Sequence, residues 1–526
     1  MQNNQFSYLR FKTRVIDIGN IPLGGGYPIR IQSMTNTNTL DTKTTVKQII
    51  RLVKEGCEYV RITTPTLKKA ENINEIKKEL KKRGIKIPLI ADVHFNPSIA
   101  EYVAPLVDKV RINPGNYSDK KNFKKLHFSD SDYLNELERI RKRFSPLIKI
   151  CKEYGTAMRI GTNHGSLSDR IIGRYGDTVE GMVESAMEFI RICEDFNFFN
   201  IVVSMKASNA LVMVQANKLM VKRMTQEKMN YPVHLGVTEA GDGENGIIKS
   251  SVGIGTLLED GIGDTIRVSL TGNPEKEIPV AKIIAQRYNS RFEKEKKFYT
   301  KFFSSENKFT STKGNIDFPV ISNNKNKIIK TKSVLIIEAS AENKVNEIKK
   351  EILKAKKQKN NLPVIAKLNY SCNSKMELQV FSSIDFGYLL LNNFIDGLWL
   401  DTKNKFSSAF IDNILFSILQ STGKKITRTE YISCPTCGRT TYNVLEITKK
   451  IRAKTKHLKG LKIAVMGCIV NGLGEMADAD YGYIGTTNGK VNLYKQKILF
   501  KKNIEPKIAV DCLIKLIKEN GDWVEN

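Results

Sequence analysis

The chain has 526 residues, is 41% hydrophobic, and carries 84 Lys and Arg against 55 Asp and Glu, a formal charge of +29. That length exceeds one ordinary domain and that apolar content builds real cores, so two or three domains are expected and a coreless chain is excluded. The charge is spread among Asn and Ile, as in KNNLPVIAKLNYSCNSK from Lys359, and forms no patch, so it does not by itself point to nucleic acid.

The opening stretch, MQNNQFSYLRFKTRVIDIG, has no apolar leader, and no later segment gives eighteen uninterrupted apolar residues. An untargeted cytoplasmic protein without a membrane partner is the expectation. Eight cysteines at irregular positions do not form a disulfide framework, which leaves free thiolates available to a metal.

From about Phe11 to Ser290, short β-branched runs alternate with longer helical patterns. The runs are PIRIQSMT, YVRITTP, IPLIADVHF, KVRINPG, AMRIGTNHG, NIVVSMKAS, PVHLGVTEAG and DTIRVSLTG. Between them lie segments such as TTVKQIIRLVKEG and TVEGMVESAMEFIRICEDF, with apolar residues at three- and four-residue spacing. Eight strand-then-helix units in about 280 residues predict a (β/α)8 barrel over 1–290; a doubly wound sheet more often shows five or six strands.

Chemistry in such a barrel sits where strands end. Polar residues fall there in i, i+2 pairs that share a strand face: Asp92 with His94, Arg111 with Asn113, Ser204 with Lys206, Arg267 with Ser269. Arg61, Arg159, Asn163, His234 and Glu239 stand singly at other strand ends. Five strands ending in a cation, against Asp92 and Glu239, leave the mouth net positive and suited to a small ligand bearing phosphates. GDGENG from Gly241 fits G-x-G-x-x-G, but so late in the barrel it reads as a glycine loop opening a helix that could hold phosphate through its N–H groups.

After Tyr288 the pattern changes to a charged, aromatic stretch without clear period. A middle α/β region over 291–425 follows, with strand candidates SVLIIEA, LPVIAKLNY and DGLWLD and the helix NKVNEIKKEILKAKKQ. It shows no ligand cluster, and its Cys372 reads as a bystander. The last region, 426–526, is a compact α+β module with two glycine-rich cysteine loops, YISCPTCGR and GCIVNGLGE. Cys434 and Cys437 have C-x-x-C spacing, and Cys468 lies 31 residues further without such a partner, so a four-cysteine zinc ribbon is excluded. Three candidates remain for a fourth ligand. Cys512 lies on the apolar face of an amphipathic helix, His457 near a basic helix end, and Glu475 on a glycine-flanked loop seven residues after Cys468. Three thiolates and one weakly held carboxylate suggest an iron–sulfur cluster with one distinct iron; a structural zinc is the competing reading.

Taken in order, PIRIQSMTNT, ADVHFN, VRINPGN, RIGTNHGSL, SMKAS, LGVTEAG, SCPTCGR, GCIVNG and GEMADADYGYIG resemble one family closely, the 4-hydroxy-3-methylbut-2-enyl diphosphate synthases of the methylerythritol phosphate route to isoprenoids. The chain resembles the family's long form, with an extra domain, a spacer, between barrel and cluster module. The resemblance implies an iron–sulfur oxidoreductase with a [4Fe-4S] cluster on Cys434, Cys437, Cys468 and Glu475. It implies reductive ring opening of 2-C-methyl-D-erythritol 2,4-cyclodiphosphate, with ferredoxin or flavodoxin as electron donor. By analogy Arg61, Arg111, Arg159, Lys206, Arg267 and Ser269 hold the diphosphate. Asn113, Asn163, Asp92, His94 and Thr238 line the pocket, and Glu239 transfers a proton. Where the family reads N-G-P-G-E, Leu473 replaces the proline, which removes a constraint on φ. Barrel and cluster module must close on one another, either across a homodimer or within one chain. The alternatives are a basic RNA-binding protein with a zinc knuckle, for which interleaved aromatics are missing, and a pteroate-synthase-like barrel, which leaves the cysteine module idle.

Overall fold

All eight expected runs form strands: Arg30–Met34, Tyr59–Thr63, Leu89–Asp92, Lys109–Ile112, Ala157–Asn163, Ile201–Lys206, His234–Leu235 and Thr265–Ile266. In this computed structural model the described residues are 8–93, 95–117, 128–300, 320–321, 334–469, 472, 474, 476, 479–486 and 489–525. The eight strands pair in parallel around one sheet in chain order, with the eighth beside the first. A parallel bridge between Val203 and Val233, with Val203 N–H donating to Pro232 O at 2.9 Å, joins the sixth strand to the seventh and closes the barrel.

The intervening helices follow from local chemistry. Thr42–Glu55 begins at Asp41, whose carboxylate accepts from the Thr44 N–H, and ends at Gly56 with φ of 100°, a conformation that glycine reaches without a Cβ clash. Val179–Asp195 starts at Thr178, which caps the Gly181 N–H. The last barrel helix spans Glu277–Glu295, and Lys297–Tyr299 then pairs with Leu9–Phe11. The barrel's packing thus continues a few residues past 290, because the N-terminal strand needs a partner there.

An antiparallel hairpin, Ile16–Ile18 with Ile21–Leu23, plugs the barrel at its strand N-terminal end. Ile16, Ile18 and Leu23 pack there on Tyr59, Ile90, Ala157 and Val202, so the floor is apolar and the opposite end is the mouth.

In the middle region the described strands form a four-stranded parallel sheet in the order Val320–Ile321, Gly397–Asp401, Val364–Asn369, Leu335–Ala339. Its helix Lys375–Leu391 lies against the barrel helix Gly243–Glu259. Glycines permit the close crossing: a Cβ on Gly255 would come within 2.3 Å of Ile384, and one on Gly387 within 3.0 Å of Val252. Arg287, on the last barrel helix, pairs with Asp385, and Tyr388 Oη donates to Asp260 Oδ1 at 2.9 Å at the end of Gly243–Glu259. The C-terminal module is a five-stranded mixed sheet, Glu430–Ser433, Lys462–Met466 and Tyr481–Gly485 in parallel, then Val491–Lys495 and Ile498–Ile504 antiparallel. Helices Val444–Thr455 and Pro506–Glu519 cover it. Cys512 is half-buried against that core, as the helical spacing predicted.

Overpacking this crossing should loosen the middle region from the barrel. Gly255→Val is expected to cost about 1–3 kcal/mol and to lower the melting temperature measured by differential scanning calorimetry; an unchanged melting temperature would show that the crossing accommodates a side chain.

Candidate functional site: a cation-rich barrel mouth closed by a cysteine module

One cavity at the mouth brings together most of the expected residues. Arg61, Asp92, Arg111, Arg159, Asn163, Lys206, Thr238, Glu239, Arg267 and Ser269 line it from the barrel, and Cys434, Cys437 and Cys468 line it from the C-terminal module. Asn113 is fully buried but off this wall, and its amide atoms have no hydrogen-bond partner among the described residues. His94 and Glu475, with Leu473, lie outside the described residues. His234, expected among the strand-end polar residues, is fully buried and does not line the cavity. It sits in the barrel interior, where Gln32 and Lys109 are also buried. Lys109 Nζ lies 5.0 Å from the centre of the Tyr59 ring. Burial, then Arg159 and Arg61, holds the Lys109 ammonium well below its ordinary range, and burial with Lys206 nearby does the same to His234.

The five expected cations are not equivalent. Arg267 is forked onto Glu277, with Nη2 to Oε1 at 3.0 Å and Nε to Oε2 at 3.2 Å. Glu277 opens the last barrel helix, where no strand periodicity points to it. Arg111 pairs with Asp92 at 3.3 Å and donates to Gly161 O at 3.1 Å and Asn163 Oδ1 at 3.3 Å. Arg159 Nη1 donates to Ser204 Oγ at 2.8 Å, and Arg61 Nη2 lies 3.0 Å from Met34 Sδ. Among the described residues neither of these last two, nor Lys206, has a carboxylate partner within ion-pair distance. Burial draws Arg61 down to about 10 despite nearby Asp92, and burial joined by the surrounding cations draws Arg159 and Lys206 well below their ordinary ranges. Dry, mutually repelling cations favour a polyanion strongly, because each gains a partner that it otherwise lacks.

The C-terminal module is seated on this mouth within the same chain. Ser433 forms a parallel bridge with Ala240, and its hydroxyl meets Thr271 Oγ1 at 2.7 Å. Lys249 pairs with Glu430 at 2.8 Å, and Arg452 pairs with Asp242. The GDGENG loop therefore grips the module through Asp242. Thr436, between the two C-x-x-C cysteines, has φ of 54°, rare for a β-branched residue. Its hydroxyl donates to Gly272 O at 3.2 Å and meets Asn36 Nδ2 at 3.3 Å, contacts that hold the strained turn against the barrel. Both cysteine loops touch the barrel through glycine: a Cβ on Gly438 would lie 2.5 Å from Thr37 O and Thr63 Oγ1, and one on Gly474 would lie 1.7 Å from Gly165 O. Arg439, in the quoted CPTCGR but not singled out by sequence reasoning, reaches Asp92 across this contact. Burial opposes its charge, yet Asp92, then Cys437 and Cys468, hold the guanidinium above its ordinary range.

Burial pushes the Cys434 thiol up, with Cys468 adding to the effect, while the Gly467 N–H donates to its Sγ at 3.2 Å. Such a thiol ionises readily only when a metal replaces its proton. Among the described residues no three His, Cys, Asp or Glu side chains converge tightly enough for a single metal ion. Three thiols along one cavity wall are the donor type that an iron–sulfur cluster takes.

Residues 13–282 match the family model described as the GcpE TIM-barrel domain, and residues 430–519 match the GcpE protein C-terminal domain. The chain is 43% identical to the 4-hydroxy-3-methylbut-2-en-1-yl diphosphate synthase (flavodoxin) of Parabacteroides distasonis, with 99% of each chain covered. It is 42% identical to the protein of that name in Porphyromonas gingivalis, again over 99% of each, and 41% to that of Leptospira interrogans over 98% of each. Among solved structures, a truncated 3-deoxy-D-arabino-heptulosonate 7-phosphate synthase from Thermotoga maritima aligns with a TM-score of 0.34 at 12% identity, covering 55% of this chain and 96% of that one. Dihydropteroate synthase from Burkholderia cenocepacia gives a TM-score of 0.34 at 12% identity, covering 53% and 97%. The full-length relatives do not favour the RNA-binding or pteroate-synthase readings. With a cation-lined barrel mouth, a three-cysteine module seated on it and relatives matched from end to end, the chain belongs to the GcpE family of 4-hydroxy-3-methylbut-2-en-1-yl diphosphate synthases.

Proposed function

We propose that this chain opens the ring of 2-C-methyl-D-erythritol 2,4-cyclodiphosphate reductively to give 4-hydroxy-3-methylbut-2-enyl diphosphate. Each turnover consumes two electrons and two protons and releases one water. The observation that carries the reading is one cavity shared by three cysteines and by Arg61, Arg159 and Lys206, which have no carboxylate partner among the described residues.

The assigned holder of the electrons is a [4Fe-4S] cluster on Cys434, Cys437 and Cys468, with Glu475 as fourth ligand, and when bound it supplies them one at a time. Flavodoxin or ferredoxin recharges it, in keeping with the donor that the relatives' names carry. Arg61, Arg159 and Lys206 take the diphosphate as their missing counter-charge, and Arg267 and Ser269 complete its cradle. Arg111, fixed by Asp92 and Asn163, presents its fork at a defined angle, Thr238 lines the remaining wall, and Asn113 and His94 are assigned to the pocket by resemblance to the family. Glu239 is the proton donor: it is 4% exposed, lines the cavity and is held at φ of 47°. The seated C-terminal module keeps water from the reacting carbons. Residues 291–425 act as the spacer that brings the cluster module of 426–526 back over the barrel of 1–290, so closure needs no second copy. No described helix is long and apolar enough to cross a membrane, and cytoplasmic residence suits a soluble electron donor.

Chain purified without oxygen should carry close to four iron and four sulfide and convert the cyclic diphosphate when supplied with reduced flavodoxin; one zinc without sulfide, and no product, would reject the reading. Glu239→Gln is expected to lower kcat by about 100-fold or more in steady-state assays with KM little changed, since removing a positioned acid costs about 10²–10⁴. Burial and the surrounding cations hold Lys206 below its ordinary range, and a bound diphosphate would raise it again. Binding enthalpies should therefore vary with buffer ionisation enthalpy in the sense of proton uptake, and affinity should weaken as pH rises. Lys206→Met should abolish most of that uptake.

A further inference from the structure

Arg439 has no role among those assigned above. It stands two residues after Cys437, and its guanidinium crosses into the barrel: Nη1 and Nη2 each donate to Asp92 Oδ2 at 3.2 Å, and Nη2 also donates to the Asp92 carbonyl at 3.0 Å. The other carboxylate oxygen, Oδ1, accepts from Arg111 Nη1 at 3.3 Å. One carboxylate therefore joins the cysteine loop to the arginine of the fourth barrel strand. The side chains of Arg439 and Asp92 are 8% and 2% exposed, so neither charge can turn to water if the pair separates while the modules stay closed. Nearby, Lys69 Nζ donates to Gly438 O at 3.2 Å, and Gly438 is pressed on Thr37 and Thr63 too closely for any side chain. The cavity is about 80 Å³, well below the roughly 300–1,000 Å³ of ordinary ligand pockets. Arg439 itself lines this cavity beside Cys434, Cys437 and Cys468, so its contact with Asp92 sets how the cysteine loop sits over the mouth.

We propose that Arg439 is a positioning residue: by forking onto Asp92 it registers the cysteine loop against the diphosphate-binding face of the barrel, so that closure of the two modules and alignment of Arg111 are one event. Arginine suits this task because its rigid fork reaches the Asp92 carboxylate and carbonyl together, which a lysine ammonium cannot match in direction. The kinetic part of the test rests on the proposed function; the structural part does not.

Hydrogen–deuterium exchange on the intact, cluster-loaded chain reads the contact directly. Arg439→Ala should raise exchange over residues 434–441 by about tenfold or more while the barrel strands keep their protection, and Arg439→Lys should fall between the two, since breaking one side of a buried ion pair exposes the other. In turnover assays Arg439→Ala should lower kcat by about 100-fold, the usual consequence of a reacting group held out of register, with KM shifted by less than about threefold. Iron and sulfide per chain should match the parent. In a double-mutant cycle Arg439→Ala with Asp92→Asn should be no slower than Asp92→Asn alone, because the two act through one contact. Unchanged exchange over 434–441, multiplicative rate losses in the double variant, or a raised KM at full kcat would overturn the proposal; the last would make Arg439 a diphosphate ligand instead. If Arg439→Ala yields no folded chain, Arg439→Gln carries the same comparisons. A parent chain that fails to turn over the cyclic diphosphate rejects the functional reading, while the exchange measurement still decides the positioning contact.

Discussion

Buried positive charge with no carboxylate partner in ion-pair distance among the described residues governs this structure. Arg61, Arg159 and Lys206 project into a barrel whose floor is sealed by apolar side chains; two carboxylates near them are committed, Glu277 to Arg267 and Asp92 to Arg111 and Arg439, and Glu239 lines the same cavity. Holding such cations out of water costs stability, and the barrel must recover it elsewhere. It does so in its outer layer, where β-branched and aliphatic residues of the strands pack on the helices in one continuous core. The mouth is left poised for an anion whose charge matches what the fold left unpaired.

The same charge explains why a second module closes the barrel. A flexible covering segment would admit water, which screens the cations and weakens their hold on a polyanion. A folded sheet brings its own hydrogen-bonding backbone, so Ser433 pairs with Ala240 and the cysteine loops dock by glycine where no side chain would fit. Strain at Thr436 is tolerated because its neighbours over-determine it.

The middle region reaches the mouth through one helix. Gly243–Glu259 begins beside Asp242, which grips Arg452 of the cluster module, and carries the helix Lys375–Leu391 on another face. At its start Asn245 receives Arg428 Nη2 at 2.7 Å, and Asn413 Nδ2 donates to Glu244 at 2.7 Å. All three parts of the chain therefore meet around the first turns of this helix.

The eight strands, the cysteine loops and most of the cavity wall were legible in the sequence, because strand alternation, glycine-flanked C-x-x-C spacing and cations at strand ends are local patterns. Local pattern also misled. His234 was read as a strand-end residue, but it opens the strand His234–Leu235, whereas Lys206 closes Ile201–Lys206, and it is buried off the cavity. Glu277 and Arg439 were invisible as site residues because each gains its meaning from a partner distant in sequence, Arg267 across a turn and Asp92 some hundreds of residues away. By itself the sequence determined the order of elements, the kinds of donor present and the family to which they belong, all of which depend on short-range chemistry. Only the tertiary structure decided which cations lack a carboxylate partner among the described residues, which carboxylate joins the two modules, and that the cysteine module sits on the barrel of its own chain, because ion pairing and closure depend on distances between residues that no periodicity links.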